Sequence, residues 1–149
     1  MSSCVLIGHR DCPCEITTKL STIIEDLIVD YGIKTFFVGT QGDFDRYVYR
    51  ILSELESKYN IEIIVVLAYL NSKRNIYYDT EKTIFPESLC NVNKRFAIYH
   101  RNLYMINKSQ YMICYANNTF SNTYKYIQIA KRKGIKIFNI GELEIQSPD

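Results

Sequence analysis

An apolar run, Phe36-Phe37-Val38, stops at Gly39, passes through Thr40-Gln41-Gly42 and enters an amphipathic stretch at Asp43-Phe44-Asp45. A strand, a tight glycine turn and a helix N-terminus have this pattern. Glycine lets the backbone approach a ligand and adopt positive φ. The free N–H groups of the first helical turn then form a positively polarised pocket, where phosphates and carboxylates bind. Many α/β proteins turn this way with no ligand, so this spacing alone leaves both readings open.

Other residues of useful chemistry fall in similar turns. Gly8, His9 and Arg10 follow a first apolar run, Cys4-Val5-Leu6-Ile7. The Arg10 guanidinium can pair with a phosphate bidentately, or it can bond loop carbonyls at the surface. Asp43 suits a helix N-cap. Asp45 is the better candidate for ribose hydroxyls, because a carboxylate accepts two such bonds. It would repel an adjacent phosphate, so base or sugar is expected on its side. Arg101 and Asn102 are either an exposed helical pair or a ligand or interface contact. Asn118, Thr119, Ser121, Asn122 and Thr123 form a polar turn that can cap the last helix and also bind phosphate or ribose. His9, Cys12 and Cys14 lie close in sequence, but zinc typically takes about four ligands and no second pair follows. No metal site is expected. The spacing Cys12-Pro13-Cys14 is not the usual redox pattern.

The elements that must carry these residues alternate. Ile16, Leu20, Ile23, Ile24, Leu27 and Ile28 recur at helical spacing, with Gly32 as a stop. Thr35 to Val38 reads as the second strand. Phe44, Val48, Ile51, Leu52, Leu55 and Tyr59 mark one helical face. Ile61 to Tyr69 is almost continuously apolar, as a strand buried on both faces is. Residues 71–92 show no sustained period and contain Pro86, so they read as a long loop. A helix over 93–109, a strand over 111–115, a helix over about 124–133 capped by Gly134 and a last strand over 135–140 complete the pattern. Strand–helix alternation of this kind predicts a doubly wound parallel α/β sheet of about five strands over residues 1–141, followed by a tail over 142–149. With the first strand central, the predicted order is 3-2-1-4-5. Right-handed crossovers then bring the turns at residues 8–15, 39–45 and 116–123 together at the carboxyl edge, where such sheets bind ligands.

Composition narrows the classes. A chain of 149 residues suits one domain, and its 47% hydrophobic content is enough for a core. Net charge of +2 with no basic stripe argues against a nucleic-acid polymer as partner. No apolar stretch is long enough to span a bilayer, and no signal-peptide pattern opens the chain. Five cysteines without framework spacing favour a reduced, cytoplasmic setting.

The order and spacing of several motifs resemble the YpsA-like (DUF1273) branch of the SLOG superfamily. They are Ile7-Gly8-His9-Arg10, Gly39-x-x-Gly42-x-Phe44-Asp45, Arg101-Asn102-x-x-Met105 with Ser109, and the helix end Ala130-Lys131-Arg132-Lys133-Gly134. The resemblance implies a Rossmann-like fold that binds nucleotides or nucleotide-derived signals, in some relatives within bacterial conflict systems. It also implies pairing of chains, hence a homo-oligomer. The chain departs from relatives in one turn: Ser121-Asn122-Thr123 stands where they carry Gly-Gly-Thr or a longer glycine-rich signature. The signature Pro-Gly-Gly-x-Gly-Thr with its Glu, which marks the base-releasing branch, is absent. The expectation is therefore non-catalytic binding, for sensing or sequestration, of an ADP-ribose/NAD-derived or cyclic nucleotide ligand, with no cofactor. The rival expectation is a nucleoside-phosphate N-glycosidase or phosphoribohydrolase using Asp45 or Glu87 as acid or base. A structural module whose carboxyl-edge loops leave no cleft is the third.

Overall fold

A computed structural model describes residues 2–70 and 76–141. Its frame is one parallel sheet. Strand β1 (Ser3–Gly8) leads to helix α1 (Ile16–Tyr31), β2 (Thr35–Val38), α2 (Asp43–Glu56) and β3 (Glu62–Val66). A two-residue strand β4 (Thr83–Ile84) follows, then α3 (Ala97–Asn107), β5 (Tyr111–Tyr115), α4 (Asn122–Arg132) and β6 (Lys136–Asn139). The sheet order is β4-β3-β2-β1-β5-β6, all neighbours parallel. The expected order holds across five strands, and the strand order reverses at β1, which pairs with β2 on one side and β5 on the other.

The alternation along β1 shows why this sequence makes a two-faced sheet. Cys4 and Leu6 pack into the layer under α1 and α2, with Leu20, Ile24, Leu27, Phe44, Val48 and Leu52. Val5 and Ile7 point to the opposite layer, under α3 and α4, with Met105, Ile106, Ile127 and Ala130. Successive strand residues face opposite sides, so a central strand must be apolar at every position. On α1, Leu20, Ile24 and Leu27 recur one turn apart and are fully buried. Each contributes on the order of 1.5–3 kcal/mol by leaving water.

Three expectations are corrected. The sheet has a sixth strand, β4, inside the stretch read as loop: Val65 pairs with Thr83 and Val66 with Ile84, and the Leu67 N–H donates to the Ile84 carbonyl at 2.9 Å. Two residues carry no readable period, and Pro86 follows two positions later, so the pattern could not show it. The third strand ends at Val66 rather than Tyr69. The third helix begins at Ala97, after a 3-10 turn over Lys94–Phe96 in which the Arg95 N–H donates to Asn93 Oδ1. The 142–149 tail and part of the 71–92 loop lie outside the described residues. No helix among the described residues is long and apolar enough to cross a membrane.

Candidate functional site

The three turns expected to converge are tied together by main-chain groups. The His9 N–H donates to the Tyr115 carbonyl at 3.3 Å, and His9 Nε2 stands 3.2 Å from the Asn117 nitrogen. On the other side the Asp43 N–H donates to the Arg10 carbonyl at 2.7 Å. Asp43 Oδ2 accepts from the Cys12 N–H at 3.3 Å. The β1 turn is thus held between the β2 and β5 turns. Asp43 does not cap its own helix: Gly42 is the N-cap residue, and the carboxylate braces the neighbouring loop. Gly42 has φ 92°, and a Cβ there would lie 2.6 Å from Arg10 Cα. Only glycine permits both that conformation and that approach.

Gly39 makes room for charge. A Cβ at this position would lie 2.8 Å from Arg101 Nη1 and 2.9 Å from Asp45 Oδ2. Arg101 is only 2% exposed, so the reading of Arg101 and Asn102 as an exposed pair is overturned. Its Nε donates to Asn102 Oδ1 at 2.8 Å and its Nη1 to the Val66 carbonyl at 3.0 Å. Asp45 is buried too, and its Oδ2 accepts from the Gln41 N–H at 2.8 Å. Burial pushes the Asp45 carboxyl up to about 6, against the opposing pull of Arg101 and the Gln41 N–H. Burial also lowers the Arg101 pKa, while Asp45 raises it. The charge of each group favours the charged form of the other, and burial outweighs that pull in both.

Above these residues lies a cavity of about 250 Å³ at the carboxyl edge, where strand order reverses. Gly8, His9 and Arg10 form its β1 side; Gln41 and Asp45 come from the β2 turn and α2. Arg101 and Asn102 rise from α3, and Asn122 and Thr123 from the first turn of α4. Arg10 is exposed, and among the described residues no carboxylate pairs with it. Three candidates support the cavity from behind. Gly39 and Gly42 act as described, and Phe44 is fully buried with its ring where a Gly8 Cβ would sit. Thr40, Asn118, Thr119 and Ser121 do not line it. Ser121 is the N-cap of α4, its Oγ accepting from the Tyr124 N–H at 3.2 Å. Glu87 is exposed in a 3-10 turn beyond β4, away from the lining.

Sequence reasoning missed Ile98, Met105 and Tyr126 in the wall and misjudged Asn102. A signal was present: Ile98, Arg101, Asn102 and Met105 fall at i, i+3, i+4 and i+7, one face of a helix. Two apolar neighbours on that face mean the polar pair between them is turned inward. Tyr77 was equally hidden. It packs on Tyr49, with Arg46 4.8 Å above its ring, and its buried hydroxyl has no hydrogen-bond partner among the described residues. Burial and the Asp45 charge raise its pKa. Among the described residues no group of His, Cys, Asp and Glu could hold a metal ion, and all five thiols are free. Set against known proteins, the chain matches no protein-family model and no curated protein.

Proposed function

We propose that this chain binds a nucleotide-derived small molecule, an ADP-ribose or NAD derivative or a cyclic nucleotide, without transforming it. One observation carries the reading: the cavity at the strand-order reversal has cations on its rim and floor, Arg10 and Arg101, a helix N-terminus in one wall and the Asp45 carboxylate in another. A ligand that is anionic at one end and rich in hydroxyls at the other matches that division. The SLOG resemblance supports the same class, and with it a homo-oligomer that senses or sequesters its ligand in a reduced, cytoplasmic setting. A thermal-shift screen with ADP-ribose, cyclic ADP-ribose isomers, NAD and cyclic oligonucleotides tests it, followed by native mass spectrometry of any hit. At least one should raise Tm and bind at one per chain. A flat response to all of them rejects the reading.

A second reading, phosphoribohydrolase or N-glycosidase, draws on one feature. A buried carboxyl near 6 beside a cation is suited to moving a proton at neutral pH. Against it, Asp45 Oδ2 is already engaged by the Gln41 N–H, and no glycine-rich phosphate clamp precedes α4. The purified protein should release no base from nucleoside monophosphates. Turnover above background that Asp45→Asn abolishes would move the protein to the enzyme class.

A further inference from the structure

A second cavity opens at the same edge of the sheet, beyond the ends of β3 and β4. It encloses about 490 Å³ between Ala68, Tyr69, Phe85, Leu89 and Ala97, with Cys90 and Lys94 on its rim. Its floor is apolar: Leu89 and Ala97 are buried, whereas Cys90 and Lys94 are exposed. The Tyr69 ring is fixed by its hydroxyl, which donates to the Lys94 carbonyl at 3.1 Å. Two aromatic rings beside the buried Leu89 and Ala97 make a slot for a flat, weakly polar group.

The two cavities are neighbours across the start of α3. Ala97 lines the second, and Ile98 and Arg101 line the first. Ala97 and Arg101 are one turn apart, about 6 Å along the axis. The Val66 carbonyl that binds Arg101 lies two residues before Ala68 in the second cavity. Tyr69, in turn, lies in the field of Arg101. The first cavity alone falls below the roughly 300–1,000 Å³ of small-molecule sites. The second is a separate cavity with no lining residue in common with the first, and its volume lies within that range.

We infer that the ligand is a dinucleotide: the cavity between Tyr69, Phe85 and Ala97 takes its second aromatic base, while the first nucleotide half occupies the cavity over Arg101. This rests on the nucleotide-binding reading above and narrows it. A mononucleotide or ADP-ribose leaves the apolar slot unfilled. A macromolecular segment in the slot is the competing occupant, and it would give no preference between small ligands.

Calorimetry with ADP-ribose and diadenosine 5′,5′-pyrophosphate tests the inference, since both carry a pyrophosphate and differ in the second base. Stacking one base on an aromatic side chain is worth about 1–3 kcal/mol, so the two-base probe should bind roughly tenfold tighter or better. Phe85→Ala removes a ring, and Cys90→Trp blocks the mouth from an exposed position. Each should erase the preference and leave ADP-ribose affinity unchanged, with the fold checked by circular dichroism. Should Phe85→Ala not fold, Cys90→Trp and the wild-type comparison decide. Equal affinity of the wild type for both probes, or a preference that survives the folded variants, overturns the second-base site while nucleotide binding stands. If neither probe binds and the broader screen is also flat, the functional reading itself fails.

Discussion

Two cations serve the candidate site under opposite conditions. Arg101 is buried, with two of its donors committed to Asn102 and Val66, whereas Arg10 is exposed on the rim. Arg10 is therefore the residue that can be removed without opening the core. Arg10→Ala should weaken ADP-ribose binding by about 1.5–3 kcal/mol, the range for a hydrogen bond to a charged group. Arg10→Lys should recover only part, because an ammonium cannot form the two-pronged contact. Rising salt should weaken the wild type more than the Ala variant. Equal affinities of folded wild type and Ala variant, measured by calorimetry, would assign Arg10 to its loop alone. Asp45 has a different signature. Its carboxyl titrates near 6 in the folded chain, against 3.8 for an unperturbed Asp. A raised carboxyl pKa means the folded state binds its proton more tightly than the unfolded chain does. Its contribution is complete below pH 4 and is lost as pH rises through 6, by something on the order of 3 kcal/mol. Asp45→Asn keeps an acceptor for the Gln41 N–H and should lack this loss. Parallel stability–pH curves for the two proteins between pH 4 and 7 would contradict the raised value.

At the scale of elements, each piece of the site is held by a different device. Helix α4 begins at Asn122, four residues before its first buried apolar side chain, Tyr126, because the Ser121 hydroxyl accepts from the Tyr124 N–H and extends the helix backwards. That cap brings Asn122 and Thr123 into the wall. Ser121→Ala should cost about 1 kcal/mol, and Ser121→Gly only a few tenths, in urea unfolding. An unchanged midpoint for Ser121→Ala would show that the bond from the Phe120 N–H to Asn118 Oδ1, at 3.0 Å, holds the turn without the cap. The strands differ in the same concrete way. In β1, Cys4 to Leu6 are completely buried between two strands, whereas β4 is two half-buried residues at the edge. Hydrogen exchange should accordingly be slowest in β1 and fast at the Thr83 and Ile84 amides. Protection of β4 equal to that of β1 would mean that the edge is covered.

The whole molecule sets what binding can do to stability. A ligand held only by the folded chain, at a hundredfold its Kd, should add about 2.7 kcal/mol. For a chain of this size that corresponds to a Tm rise of roughly 5–10 °C, read by calorimetric melting. A saturating ligand that left Tm unmoved would have to bind the unfolded chain equally well. How far the molecule was legible beforehand follows from the range of each interaction. Apolar spacing places Leu20, Ile24 and Leu27 on one helical face, and Gly39 and Gly42 after a strand; these are patterns within a few residues, which the order of residues alone determines. The same local information yields the parallel sheet with β1 at its centre, since alternation and crossover handedness leave few topologies open. Only the tertiary structure brings Asp45 and Arg101 to either side of Gly39, buries Asn102, and sets Tyr77 over α2. It also decides that Thr83 and Ile84 are a strand. Those contacts join residues far apart in the chain, and their chemistry is settled by burial, which no spacing within one element can report.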